Sequence, residues 1–446
     1  MNSYSMLLVV SAALVTWIVS TILNSSQLSM LQAETQNLQE LLASPYLPSS
    51  FSSLSSSLRK FDYAPKERKC SNAGENAKPK RMWVDTNSVY DGPSRVYPVW
   101  DFEHNPFPCY EHGKRMLMST EPADQGLLFQ RPEKTGTTTM VGILMRLAHN
   151  RAQAMSKEER QKHNITISPF KVCNHRAMHG TAVSYKYHQR NRQKSFLFSL
   201  IRDPTAKAIS RFFHFVVSVA QIEPTDKNFL AQLASVPYSR MHLQDLVVDP
   251  ELAIYKGSGK SHQLPPLNYT AVVEDILDAY DFIGITERMD ESLIVMKYLL
   301  NLTIEEILYV KPARTAGSFS NGFEDRPCVY LVPSFVTPKV AAYFKSPEWK
   351  RRVAGDELLY RAANRSLDRT IDALGRDRVE RTMEQFKRAQ AYVQEQCQGK
   401  VRSMCDEGGA VIPPKNRTCY IWGEGCDYKC LNSLRIPPEL LIESIY

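Results

Sequence analysis

Two short segments carry the residue types needed to bind a multiply charged anion. The first is Arg131-Pro-Glu-Lys-Thr-Gly-Thr-Thr-Thr139 and the second is Arg202-Asp-Pro-Thr-Ala-Lys-Ala-Ile-Ser210. Lys134 supplies a full positive charge. Thr135, Thr137, Thr138 and Thr139 supply hydroxyl donors, and Gly136 lets the backbone come close to an anion. Each segment follows an apolar run, Leu127-Leu128-Phe129 or Phe196-Leu-Phe-Ser-Leu-Ile201, and opens an amphipathic stretch. A strand, a tight turn and then a helix leave unpaired helix N-terminal N–H groups aimed at a ligand. With Arg202 at a strand end and Ser210 in the following helix, a guanidinium and a hydroxyl converge on one phosphate. Asp203 and Pro204 also read as a helix N-cap and first-turn proline, which is compatible with that role. The first segment is not a Walker A loop, because its lysine precedes the only glycine and Arg131 stands where the first Walker glycine belongs.

Together the two segments resemble the nucleotide-binding signatures of sulfotransferases that use 3′-phosphoadenosine-5′-phosphosulfate (PAPS). A third stretch, Phe282-Ile-Gly-Ile-Thr-Glu-Arg-Met-Asp-Glu-Ser-Leu293, resembles a strand-to-helix passage of membrane-bound carbohydrate sulfotransferases. The resemblance spans roughly residues 125 to 380 and is closest to the Golgi galactose 3-O and uronyl 2-O types. It implies a P-loop-like α/β fold and in-line transfer of a sulfuryl group from PAPS to a glycan hydroxyl, leaving adenosine 3′,5′-bisphosphate (PAP). It implies that Lys134, Thr135, Gly136, Thr137, Thr138 and Thr139 hold the 5′-phosphosulfate, and that Arg202 and Ser210 hold the 3′-phosphate. No metal is required by this scheme. The sequence departs from the pattern at Glu133, where a neutral residue is more usual, and a carboxylate there weakens the anion site unless it faces away. Protein-tyrosine sulfation uses the same donor chemistry, and an inactive PAPS- or glycan-binding membrane protein is the reading of another class.

Sulfuryl transfer needs an anchored donor, stabilisation of the leaving phosphate oxygen and a base for the acceptor hydroxyl. Lys134 serves the first two needs. For the third, Cys173-Asn-His175-Arg-Ala-Met-His179-Gly180 follows an expected strand beside the first one. An imidazole titrates near pH 6.5 and suits that task. The resemblance points to a histidine of this region and leaves His175 and His179 both open, with His175 favoured and Glu133 a weaker third.

These groups need a scaffold. Strands are expected at Gly126–Gln130, Phe170–Asn174, Phe196–Ile201 and Tyr280–Thr286. Helices are expected at Thr138–Asn150, Thr205–Val219 and Asp290–Leu300, with mostly helical sequence over Ser346–Ala389. Alternating strands and helices imply a central parallel sheet flanked by helices, with ligands at the carboxyl ends of the strands. Residues 221–270 lack a clear period and read as substrate loops, and Lys311–Gly317 reads as a basic turn.

The net charge of +8 fits anionic ligands. No zinc-finger, helix-turn-helix or RNP-like signature accompanies it, so nucleic acid is not an expected partner. Met6–Leu23 is uncharged, and 18 helical residues span about 27 Å. An uncleaved signal anchor is favoured over a cleaved signal peptide, since no basic residue precedes the run. The expected plan is a tail over 1–5, an anchor over 6–23, a stem and linker over 24–95, a catalytic domain over 96–395 and a disulfide-rich extension over 396–446. With the resemblance, that plan implies a single-pass type II Golgi membrane protein with a lumenal domain. Leu28, Leu31, Leu38 and Leu42 fit a brief coiled-coil stem, a route to a homodimer, or equally a monomeric amphipathic helix. Sequons at Asn164, Asn268, Asn301, Asn364 and Asn416 agree with a lumenal chain. So do nine cysteines, five of them beyond residue 396, whose pairing the sequence leaves open.

Overall fold

Four short runs form a parallel sheet because three of them are buried along their whole length, which only a sheet covered on both faces provides. The computed structural model describes residues 91–105, 126–154, 176–178, 180–235, 241–250, 252, 268–310, 317–323, 326–397, 400, 405–412 and 428–441. The expected strand over Phe170–Asn174, the expected anchor and the stem lie outside these residues. Among the described residues no helix is long and apolar enough to cross a membrane.

In chain order, β1 (Gly126–Gln130) leads into α1 (Thr137–Ala154), then β2 (Arg176–Met178) and β3 (Ser195–Ile201). Helix α2 (Pro204–Arg211) continues as a π-helical segment over Phe212–Val219, followed by α3 (Asp226–Ser235), α4 (Met241–Leu246) and α5 (Tyr269–Ala279). Next come β4 (Phe282–Ile285), α6 (Met289–Leu299) and α7 (Ile304–Ile307). The antiparallel hairpin β5 (Phe319–Phe323) and β6 (Arg326–Tyr330) precedes α8 (Pro338–Lys345), α9 (Pro347–Leu374), α10 (Arg376–Cys397) and α11 (Tyr428–Ser433).

The sheet order is β2-β1-β3-β4, with every pair parallel. The chain therefore leaves β1 towards β2 on one side and later places β3 on the other. Loops leaving β1 and β3 diverge, and a crevice opens at their carboxyl ends, the usual ligand site of such sheets. Both anion segments sit there: Arg131 follows β1 and Arg202 follows β3.

Local chemistry trims the expected elements. Strand β4 begins at Phe282 rather than Tyr280, because the Asp281 carboxylate accepts the Leu197 N–H at 2.7 Å and pairs with Arg190 at 3.0 Å. The single helix expected over Thr205–Val219 changes winding at Phe212. Ser218 Oγ donates to the Phe213 carbonyl at 2.7 Å and accepts the Val332 N–H at 3.0 Å. The π segment, α3, α8 and the start of α9 close a second core around Phe212, Phe229, Phe344 and Trp349, with Phe212 stacked on Phe229 at 4.2 Å. Part of the stretch read as substrate loops is thus helical, in α3 and α4.

Among the described residues, two disulfides tie the C-terminal region down. Cys397 pairs with Cys430, while Cys405 reaches back to Cys328 in β6. Cys397 and Cys430 join the main core with the sheet and α10.

Gly284 in β4 has no room for a side chain. A Cβ there would lie 2.6 Å from Leu200 Cδ2 and 3.0 Å from Ser292 Cβ. Ser292 is held in turn by the Ile285 N–H on its Oγ at 2.9 Å. Gly284→Ala is expected to destabilise the fold by about 1–3 kcal/mol through overpacking, read as a lowered Tm in thermal unfolding. An unchanged Tm would show that Leu200 can yield.

Candidate functional site

The loop after β1 has an unusual backbone. Lys134 takes φ 61° and Gly136 φ 75°. A non-glycine residue in this left-handed region costs about 1–3 kcal/mol and persists only where its surroundings hold it. The holder is Arg202, whose Nη1 donates to the Lys134 carbonyl at 3.2 Å. A hydrogen bond from a charged group is worth about 1.5–3 kcal/mol, comparable with the strain, so the second segment shapes the first.

The third segment fixes the distance between them. Thr286 Oγ1 lies 2.8 Å from the Thr135 carbonyl and 2.9 Å from the Ile201 carbonyl, one O–H shared between the two loop bases. The side chain missing at Gly136 would meet Met289 Cε at 2.7 Å and Thr286 Cγ2 at 3.4 Å. Glycine is thus favoured by φ, and it lets the loop lie close against the third segment.

Glu287 holds the other side. Its carboxylate accepts the Asp203 N–H at 3.3 Å and the Tyr360 hydroxyl at 3.1 Å. Its Oε1 lies 3.6 Å from Arg202 Nε, beyond hydrogen-bond distance, and that Nε is buried without a hydrogen-bond partner. Glu287 and the guanidinium are thus ion-paired without a hydrogen bond at Nε. Asp203 caps α2 through the Ala206 N–H at 2.7 Å, with Pro204 at the first turn, as the sequence indicates. Burial and nearby Glu357 and Glu287 raise its carboxyl to about 6, against the Ala206 bond.

The remaining candidates divide. Thr135 is fully buried and donates to the Pro132 carbonyl at 3.0 Å, so its hydroxyl serves the loop. Thr137, also buried, accepts from Arg131 Nε at 3.3 Å. Thr138, Thr139 and Ser210 are half-buried on the first turn of α1 and late in α2. Glu133 does not stand as a bare charge beside the lysine, since Arg211 Nε pairs with its carboxylate at 3.0 Å. His175 and His179 lie outside the described residues. The strand between them is described: Met178 is in register with Gln130, the last residue before Arg131, and Arg176 with Leu128. Gln130 also donates its side-chain N–H to the Gly180 carbonyl.

Several contributors escape sequence reasoning. Arg211, Thr286 and Glu287 act through contacts between segments far apart in the chain. His214, one turn beyond Ser210 on the π segment, was detectable only as a histidine at helical spacing from the anion segment. It is half-buried, and burial and the Lys134 charge push its imidazole down to about 4 against the smaller pull of Glu133. Lys134 itself is pushed down to about 8, chiefly by burial and then by Arg202, with Glu133 opposing. At neutral pH the crevice thus presents a lysine ammonium and a guanidinium beside a neutral imidazole. Chemically, two cations on one crevice suit an anionic ligand.

Comparison with known proteins agrees with this chemistry. Residues 28–411 match the galactose-3-O-sulfotransferase family profile. Galactosylceramide sulfotransferase of Mus musculus is 23% identical over 318 residues, 64% of this chain and 65% of the relative. The Bos taurus protein of the same name is 22% identical over 321 residues, with the same coverage. The chain thus matches 65% of these relatives' length, just under two thirds.

The depressed lysine has a readable consequence. Below pH 8 Lys134 is charged and attracts phosphate; above it the free protein must take up a proton to bind. Affinity for PAP is expected to fall by about tenfold per pH unit above pH 8, measured by calorimetry, with the fall absent in Lys134→Arg. A flat profile to pH 10 would remove Lys134 from the anion site.

Proposed function

Since the chain belongs to the galactose-3-O-sulfotransferase family, we propose that it moves the sulfuryl group of PAPS to a hydroxyl of a glycan on a glycoprotein, glycolipid or polysaccharide. The observation that carries this reading is the bond from Arg202 Nη1 to the Lys134 carbonyl, which puts two cations from separate segments on one crevice. PAPS supplies an activated sulfuryl group on its 5′-phosphate. In this reading Lys134, the Thr135–Thr139 backbone with Gly136, and the Thr138 and Thr139 hydroxyls hold the phosphosulfate end, and Lys134 neutralises charge growing on the leaving oxygen. Arg202 and Ser210 hold the 3′-phosphate. The names of the relatives make a galactose hydroxyl of a glycolipid the first acceptor to test.

The acceptor hydroxyl must give up a proton, and His179 is the better of the two bases expected from sequence. Strand β2 ends at Met178, in register with Gln130 at the end of β1, and Gln130 also bonds the Gly180 carbonyl, so the described residues on either side of position 179 meet the strand that leads into the lysine loop. His175 precedes Arg176, whose register partner Leu128 lies at the middle of β1. Glu133 is less suited, because its carboxylate is engaged by Arg211.

The same reading places the protein in the Golgi membrane through residues 6–23, with a stem to residue 95, a lumenal catalytic domain over 96–395 and the extension beyond. The two disulfides support an oxidising compartment. Dimerisation through the stem belongs to this proposal.

The deciding experiment incubates the purified chain with sulfur-labelled PAPS and a panel of galactosides, other glycans and tyrosine peptides. Label on sugar supports the proposal. Label on tyrosine alone, or PAP binding without turnover on any acceptor, would replace it with protein-tyrosine sulfation or with an inactive binding protein.

Two sets of variants follow. Lys134→Ala is expected to abolish turnover, and Arg202→Ala to weaken PAP affinity roughly ten- to a hundred-fold; unchanged affinity would remove Arg202 from the 3′-phosphate site. His179→Ala is expected to keep nucleotide binding but lose turnover by about 10²–10⁴-fold together with the acid limb of the pH–rate profile. His175→Ala is expected to be far milder, and the reverse ranking would return the role to His175.

A further inference from the structure

Beneath the crevice lies a group of buried ionisable side chains that no step above employs. Lys207 on α2 is 1% exposed, His242 on α4 is fully buried, and Asp356 on α9 is 1% exposed. His242 Nε2 lies 2.8 Å from the Arg202 carbonyl oxygen. Its Nδ1 lies 3.3 Å from Lys207 Nζ, which also pairs with the half-buried Asp245 at 3.4 Å. Asp356 accepts the backbone N–H of His242 at 3.0 Å and of Leu243 at 3.1 Å.

The chemistry of the partners fixes the protons. A carbonyl oxygen only accepts, so His242 Nε2 carries the hydrogen. An ammonium only donates, so Nδ1 offers its lone pair to Lys207. The imidazole is therefore the neutral Nε2–H tautomer, and burial together with the Lys207 charge keeps it from protonating. Asp356 fixes the first turn of α4 and with it the ring. Burial raises Asp356 to about 7, against the Lys207 charge.

The bond to Arg202 matters because of what shares its peptide group. The carbonyl of Arg202 and the N–H of Asp203 belong to one planar unit. His242 grips the carbonyl and Glu287 grips the N–H at 3.3 Å. Held at both ends, that plane is restrained, and with it the point from which the Arg202 side chain leaves the backbone. We propose that His242, kept in one tautomer by Lys207, is a positioning residue that aims the Arg202 guanidinium at the nucleotide. The proposal rests on the donor-site reading above. Its signature is a defect in nucleotide binding rather than in the chemical step, since none of its members reaches the crevice.

The test compares His242→Leu, His242→Gln and Lys207→Met in the full-length chain purified in detergent. Each is measured for PAP affinity by calorimetry, for PAPS KM and kcat, and for thermal unfolding. Glutamine keeps a donor for the carbonyl and an acceptor for the lysine, whereas leucine keeps neither. His242→Leu and Lys207→Met are expected to raise the PAP Kd and the PAPS KM by about tenfold, with kcat within about twofold of wild type. His242→Gln is expected to restore most of the affinity. A folded His242→Leu with unchanged Kd overturns the proposal, as does a fall in kcat at constant KM, or equal losses in the leucine and glutamine variants. Should the leucine variant fail to fold, a folded glutamine variant with wild-type KM beside a folded Lys207→Met with raised KM sustains it, and any other pairing overturns it. A wild-type chain that binds no PAP overturns the donor reading and this inference with it; wild-type binding with unchanged affinity in His242→Leu overturns this inference alone.

Discussion

A single hydroxyl sets the spacing on which the crevice depends. Thr286 Oγ1 lies against the carbonyls of Thr135, late in the loop between β1 and α1, and of Ile201, the last residue of β3. Those loops carry like charges, Lys134 and Arg202, and would separate without a tie. Parallel strands give no help, because their ladder ends where the loops begin. The tie comes from β4, the next strand over, where the chain turns out of the sheet at Thr286. Close packing seals it: Gly284 lets β4 meet Leu200, and Gly136 lets the first loop meet Met289.

Charge is balanced in layers around that tie. Glu287 pairs with the Arg202 guanidinium at 3.6 Å, without a hydrogen bond, and accepts from the Asp203 N–H and Tyr360. Glu133 is occupied by Arg211 rather than by Lys134. The carboxylates therefore shape and steady the site around its two central cations. The depressed lysine records the same balance, since burial and a neighbouring guanidinium outweigh the pull of Glu133. The left-handed backbone at Lys134 is a further cost, met by Arg202 from the opposite loop.

Local signals made the frame legible in the sequence. The apolar runs at Gly126–Gln130 and Phe196–Ile201 are buried strands, and Asp203-Pro204 caps and starts α2 as composition dictates. Helix and strand ends were legible only where the terminating group is local. Asp281 shortens β4 by reaching across to Leu197, and Ser218 rewinds α2 while bonding Val332, more than a hundred residues away. The cysteines showed a disulfide-rich end, but the pairing of Cys405 with Cys328 joins it to a hairpin that carries no such signal.

By itself, the sequence determined which chemistry is available: a lysine, a guanidinium and hydroxyls after two strands, and the order of elements that brings strand ends to one edge. These follow from residue type and from hydrophobic periodicity, both of which act over a few residues. Only the tertiary structure decided how those groups are held. Thr286 as a tie, Arg211 as the partner of Glu133, and Lys207, His242 and Asp356 beneath Arg202 each join segments distant in the chain. No spacing rule anticipates such contacts, because they exist only where the packing of several helices on one sheet brings the residues within hydrogen-bond reach.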